Sequence, residues 1–156
     1  MIELEFQSDA IERALAKAEA SADDTTDLFN QIGAKLVRSS KDRIIAGVDV
    51  NGAPFIGRAQ STIDRYAAKG ISNISTLRQS GDMGSQIFHS YDEGETEVGS
   101  NAVQAAMMQF GGTKSQFPNL WGNIPARPYL GISAQDEVDI NDIIGEWLAQ
   151  LSTGSN

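Results

Sequence analysis

A run of apolar residues at helical spacing limits most strongly how this chain can fold. Leu28, Ile32 and Leu36 are four residues apart, and Ile44 follows eight residues after Leu36. Basic residues occupy other positions of the same stretch, which is the pattern of an amphipathic helix. The spacing predicts a helix over residues 25–46, ended by Gly47, whose apolar face the rest of the chain must cover.

Shorter helical patterns lie on both sides of that stretch. We predict helices over residues 9–20, capped by Asp9, over residues 61–68, and over residues 102–110, capped by Asn101. Ser133 is placed to cap the last helix, because acidic residues follow it where the helix dipole favours them. Its predicted apolar face comprises Val138, Ile140, Ile143, Ile144, Trp147, Leu148 and Leu151, with Trp147 expected in the core.

Two stretches have the signature of strands. Residues 1–6 alternate between apolar and acidic side chains, which predicts a half-buried strand. Residues 77–100 are expected to form sheet, with a hairpin built from residues 86–91 and 96–99 around an acidic turn. The predicted fold is therefore α+β, with N-terminal helices and a C-terminal helix packed on a small antiparallel sheet.

The length of the chain, 156 residues, predicts one domain spanning residues 1–156. Residues 111–126 combine glycines, prolines and aromatic side chains, and we interpret them as a long flexible loop. Loops of that length in compact domains are usually functional or disordered. Residues 152–156 are expected to form a frayed tail.

The charge of the chain is unevenly distributed. The net charge is -9, and residues 81–156 hold 2 Lys and Arg against 10 Asp and Glu. An acidic surface repels phosphate backbones, so no sequence-specific binding of nucleic acid is expected. The absence of cysteine excludes disulfides and zinc–thiolate sites. Neither an export signal nor a membrane span is indicated, which predicts synthesis in the cytoplasm.

Two short strings resemble a known family. Residues 108–112 read MQFGG, and residues 124–133 read IPARPYLGIS ahead of an acidic and then apolar helix. Together they resemble the phage virion morphogenesis family of Mu-like and P2-like phages, and the order of the remaining segments is similar. The sequence departs from the family pattern at Phe55, where a tryptophan is expected, and at residues 105–108, where a tyrosine–alanine pair is expected.

The resemblance implies a non-enzymatic structural or assembly protein of the virion, with a fold similar to small neck and tail-terminator subunits. Such a protein completes the tail or joins head to tail, often as a ring. The implied partners are further copies of the chain, a hexameric ring being one form, together with neck, connector and tail proteins. DNA would pass through the assembled channel. The implied location is the neck or tail of a virion whose subunits are made in the host cytoplasm.

The candidate contact residues lie in and after the predicted loop. Phe117, Leu120 and Trp121 form either a partner-binding surface or a lid folded onto the core. Arg127, and Tyr129 with it, are further interface candidates; for Arg127 an intramolecular bond to the last helix is the alternative. Four positions are assigned structural roles beside Ser133: a helix stop at Gly111 and Gly112, and a stiffened backbone at Pro125 and Pro128.

No catalytic, cofactor or metal residues are assigned. His89 is the one histidine, and its position in a strand offers no nucleophile motif, so a solvent-facing ring is expected. The acidic turn at residues 92–97 departs from the spacing of a calcium loop and is interpreted as a solvated hairpin tip. The alternatives to a virion subunit are a metal-dependent hydrolase using His89, Asp92 and Glu93, and a monomeric adaptor.

Overall fold

A computed structural model describes residues 8–21, 23–73 and 75–154 of the chain. Its elements follow in the order α1 (Asp9–Ser21), α2 (Thr26–Ala46), α3 (Gln60–Ala68), α4 (Asp82–Ser85), β1 (Ile87–Tyr91), β2 (Thr96–Ser100), α5 (Ala105–Phe110) and α6 (Ala134–Thr153). Helices and an antiparallel hairpin together confirm the α+β fold. None of the helices in this described part is both long and apolar enough to cross a membrane.

The long helix α2 is the centre of the packing. It contacts both strands, α4 and α6, while α1 packs against α6. The apolar positions that predicted this helix are all buried, and Gly47 ends it in the left-handed conformation with φ of 73°. A β-carbon disfavours that conformation, so glycine suits the position. The periodicity therefore identified correctly the helix that organises the fold.

The hairpin was also predicted correctly. β1 and β2 pair antiparallel, from Ile87 opposite Ser100 to Tyr91 opposite Thr96. Asp92 shapes the turn because its carboxylate accepts hydrogen bonds from the backbone N–H groups of Gly94 and Glu95, at 2.7 and 3.0 Å. This local bonding is the usual reason for aspartate in tight turns.

Apolar side chains form two clusters. The first cluster joins the end of α2 to the segment after β2 and contains Ile44, Leu77, Met83, Ile87, Ala102, Ala105, Tyr129 and Leu130. The second joins α1, α2 and α6 and contains Ala14, Ala18, Leu28, Ile32, Leu36, Ile140, Ile144 and Trp147. Val98 packs against both clusters, and the core position of Trp147 is confirmed.

Several predicted boundaries were wrong. α5 begins at Ala105, because the backbone N–H of Asn101 donates to Gln86 O at 3.1 Å and extends the hairpin ladder. Residues 82–85, expected to be sheet, form the short helix α4, which follows Gly81 in the left-handed region with φ of 84°. α1 already includes Asp9, and Ser8 precedes it.

Val138 does not belong to the apolar face of α6. Its side chain is 52% exposed, whereas Ile140, Ile144 and Trp147 are buried. Two residues rotate a helix by roughly 200°, so a residue two positions before Ile140 points away from the core. The assignment of Val138 to the buried face was therefore wrong.

The predictions for the chain ends have different outcomes. The strand expected at residues 1–6 lies outside the described residues, as do residues 155 and 156 of the tail. Ser152 and Thr153, which were assigned to the frayed tail, form the last turn of α6. A single domain over residues 1–156 stays a prediction.

Candidate interaction surface

The two strings that carry the family resemblance join in space. Gly112 and Ile124 form an isolated antiparallel bridge, with N···O distances of 2.8 and 2.7 Å in the two directions. Arg127 N adds a third bond, to Met108 O at 2.7 Å. The bridge closes residues 113–123 into a loop, which we call the aromatic loop.

Gln109 fixes the base of the aromatic loop. Its side chain is buried, and its amide nitrogen donates to Leu130 O at 2.9 Å. Its amide oxygen accepts from the backbone N–H groups of Tyr129 and Leu130, both at 3.1 Å. One glutamine thus satisfies three buried backbone groups of a segment that has no strand partner there, which is what buried backbone requires.

Gly111 and Gly112 allow the two strings to approach so closely. Gly111 has φ of 70°, and a β-carbon on it would lie 2.7 Å from both Ala126 N and Ile124 O. A β-carbon on Gly112 would lie 2.6 Å from Met107 Sδ. Gly111 therefore needs glycine and ends α5 as predicted, whereas a side chain at Gly112 would require Met107 to move.

Arg127 holds this junction to the segment before α3. Its Nε donates to Ile56 O at 2.6 Å, and its Nη2 donates to Gly57 O at 2.9 Å. Burial, and secondarily the charge of Arg58, lower the pKa of Arg127. The arginine is an intramolecular tie, but not to the last helix, and at 6% exposure it is not a surface contact.

Tyr129 is not a surface residue either. Its side chain is 0% exposed and belongs to the first core cluster. Burial raises the pKa of its phenol, so the ring stays neutral. Pro125 and Pro128 are half-buried on either side of Arg127. Of the interface candidates, Arg127 and Tyr129 therefore shape the base of the aromatic loop from inside.

The aromatic loop carries the remaining interface candidates outward. Trp121 is fully exposed, Phe117 is 49% exposed, and Leu120 is half-buried. Phe110, directly before Gly111, is exposed as well. The lid alternative was wrong, because a lid would bury the indole of Trp121. We call Phe110, Phe117 and Trp121 the aromatic surface.

Hydrogen bonds within the aromatic loop give it a defined path. The N–H of Phe117 donates to Thr113 O at 2.9 Å, and the N–H of Leu120 donates to Phe117 O at 3.0 Å. Lys114 N donates to the side-chain oxygen of Asn123 at 2.9 Å, which ties the two arms together. The exposed aromatic side chains thus stand on a hydrogen-bonded loop.

The model of the phage virion morphogenesis family matches residues 6–149. The chain belongs to that family. It is 37% identical over 70 residues to the "Putative capsid assembly protein G" of Escherichia phage Mu, covering 45% of this chain and 44% of the phage protein. It is 38% identical over 65 residues to the "Mu-like prophage FluMu G protein 2" of Haemophilus influenzae, covering 42% of this chain and 46% of that protein.

The matched segments thus span less than half the length of either relative. No solved structure matches the chain. Family membership makes this a phage virion-assembly protein, associated with the virion.

In this family member, a residue that the sequence analysis missed completes the junction. Arg43 of α2 is buried, and its Nη1 donates to Tyr129 O at 2.7 Å. Its Nη2 donates to Gly131 O at 3.1 Å and pairs with Asp136 Oδ2 at 2.7 Å. Arg43 follows Leu36 by seven residues, or about two helical turns, so it lies on the apolar side of α2. That position could have indicated its burial.

Asp136 links that ion pair to the start of α6. Ser133 caps the helix as predicted, and its hydroxyl accepts from Asp136 N at 3.1 Å while Asp136 Oδ2 accepts from Ser133 N at 2.9 Å. Burial by itself raises the pKa of Asp136. Hydrogen bonds with Ser39 and Ser133 and the charge of Arg43 outweigh that effect, so the pKa lies below its ordinary value.

The groups proposed for a hydrolase lie apart from this junction. His89 Nε2 is 2.9 Å from Asn30 Oδ1, and the ring lies against Gly33 of α2. The expectation of a solvent-facing histidine was therefore wrong. Among the described residues, no three His, Asp or Glu side chains are grouped closely enough to hold a metal ion.

Proposed function

We propose that this virion-assembly protein is a non-enzymatic structural subunit that completes the tail or joins head to tail. It self-associates into a closed ring, with a hexamer as the expected size, and sits in the neck between connector and tail proteins. It is made in the host cytoplasm and acts in the virion. The observation that carries the proposal is the fully exposed Trp121 on a loop whose base is fixed.

Exposed aromatic side chains support an assembly role because their exposure to water is unfavourable unless a partner covers them. Tryptophan is also enriched among the residues that contribute most to protein interfaces. Gln109, Arg127 and the two glycines hold the base of the aromatic loop, so little ordering is needed when a partner binds. A fixed aromatic surface is suited to binding a partner in an assembly.

The charge distribution supports a place beside a DNA channel. α6 carries Glu137, Asp142 and Glu146, all exposed. If the acidic half of each subunit faces the bore of the ring, like charge lets DNA pass without adhering. A ring structure with a basic bore would exclude this orientation.

A nonsense mutation at the Trp121 codon, in a phage or prophage that carries this gene, tests the joining role. We expect filled heads and separate tails, or tails of irregular end structure, in electron micrographs of the lysate. Supply of the wild-type protein in trans should restore infectious particles, and supply of Trp121→Ser should not. Normal infectious particles made without the protein would contradict the proposal.

A further inference from the structure

The molecule also contains an apolar groove that the joining role leaves unassigned. Its volume is about 360 Å³, and its walls come from α1, α2, β2, the segment after Tyr129, and α6. Phe29, Ile32 and Leu36 line the groove from α2, and Ile132 lines it from the segment after Tyr129. Volumes of this size are typical of sites that take a bulky apolar group.

Acidic residues flank one end of the groove. Glu95 lines the groove itself, and Asp92 and Glu93 are exposed in the same hairpin turn. No residue of the aromatic loop lines the groove. A bulky apolar group with a positive charge nearby is therefore the chemistry that would fit.

The aromatic loop has that chemistry. Beyond residue 80 the sequence contains two basic residues, Lys114 and Arg127. Arg127 is buried against backbone carbonyls, whereas Lys114 is exposed on the aromatic loop beside Phe117 and Trp121. The exposed basic residue of this acidic half, Lys114, thus lies on the same loop as the exposed Phe117 and Trp121.

We propose that the groove receives Trp121 of a second copy of this chain, with Lys114 of that copy against the acidic hairpin turn. The two patches differ, so the contact is head-to-tail, and such contacts form a ring when the rotation between subunits closes. This contact rests on the proposed self-association, for which it provides the two surfaces that pair. Each subunit contributes one loop and one groove.

Cysteine pairing tests the contact directly, since the natural chain has no cysteine. We would mix a size-tagged Gly122→Cys variant, which keeps Trp121 and has open space around the new side chain, with an Ile132→Cys variant under mild oxidation. A mixed disulfide can form only between two copies. We expect several-fold more mixed dimer than from Gly122→Cys with Val138→Cys, because Val138 is exposed on α6 away from the groove.

Charge reversal provides a second, independent readout. Lys114→Glu and Glu95→Lys should each weaken self-association about twofold to fivefold, as expected for an exposed ion pair. Combining the two reversals should restore self-association. Combining Glu95→Lys with Lys69→Glu, the same charge change directly after α3, should not restore it. If the double variant Lys114→Glu, Glu95→Lys is weakened by the sum of the two single effects, the proposed contact is wrong.

The outcomes separate this contact from the proposed function. Self-association of the wild type without excess mixed disulfide would overturn the groove contact alone. A wild type that stays monomeric would contradict the ring and this contact together. An intrachain disulfide in a Leu4→Cys, Ile132→Cys variant would assign the groove to the chain's own N-terminal segment and likewise overturn the proposal.

Discussion

Gln109 illustrates how a single side chain can define a functional loop. Its amide satisfies three backbone groups at residues 129 and 130, where the chain continues without a neighbouring strand. A residue of another shape leaves these groups buried and unpaired, and each unpaired group costs about 1–3 kcal/mol. The QFGG string is therefore explained by hydrogen bonding and close approach.

Gln109→Ala should lower the free energy of unfolding by about 3 kcal/mol or more, because it removes partners from buried backbone groups. Chemical denaturation followed by circular dichroism measures the change. Gln104→Ala is the control, since Gln104 is exposed and makes no side-chain cap on α5. Equal losses in the two variants would show that the amide does not hold the junction.

The Arg43–Asp136 pair makes stability depend on pH. The pKa of Asp136 is lowered in the folded state, so its ionised form favours folding. That contribution is present above the ordinary aspartate value of 3.8 and is lost as pH falls through the lower folded value. Asp136→Asn should cost about 3 kcal/mol at neutral pH, because it leaves a buried guanidinium without its counter-ion.

Denaturation of both proteins between pH 7 and pH 3 tests this dependence. The difference between wild type and Asp136→Asn should be largest at neutral pH and should narrow in the acid range. Asp142→Asn is the matched control, since Asp142 is an exposed carboxylate on the same helix. A constant difference across the pH range would contradict the assigned role of Asp136.

At the scale of elements, the position of the hairpin on α2 depends on Gly33. A β-carbon there would lie 2.5 Å from Cδ2 of His89 and would also meet the side chain of Thr96. The missing side chain lets the hairpin lie directly on the helix. This close contact brings β2 and its acidic turn to one wall of the groove.

Two glycine-to-alanine variants should therefore change stability in opposite directions. Gly145→Ala in α6 should stabilise the protein by about 1 kcal/mol, since alanine favours helix and open space surrounds that position. Gly33→Ala gains the same preference, but the clash should make it destabilising by at least about 1 kcal/mol. Thermal unfolding of both variants checks the pair. A stabilised Gly33→Ala variant would mean that the hairpin sits further from α2.

The sequence predicted these elements better than the contacts between them. Periodicity located α2, α6 and the hairpin because their apolar faces are regular. It misplaced the start of α5, since pairing of Asn101 with Gln86 in the ladder depends on tertiary position. It also missed Arg43, because the backbone carbonyl groups to which this side chain donates are 86 and 88 residues away along the chain. The aromatic loop was identified, but its fixed base was not.

At the scale of the whole molecule, buried polar contacts and exposed aromatic residues occupy different parts of one segment. Residues 124–133 are tied to α2, α5, α6 and the segment before α3. The aromatic loop leaves the body from this anchored base. An isolated subunit therefore exposes Phe110, Phe117 and Trp121 to water, and burying them between subunits is the physical driving force we propose for assembly.

The mass of the purified protein in solution, measured by light scattering across a concentration series, tests that claim most directly. We predict a concentration-dependent rise to a closed oligomer for the wild type and for Val138→Ser, which removes an exposed apolar side chain elsewhere. Trp121→Ser should shift the equilibrium strongly towards monomer. A wild type that remains monomeric at every concentration, or a Trp121→Ser variant that assembles as readily as the wild type, would contradict the account.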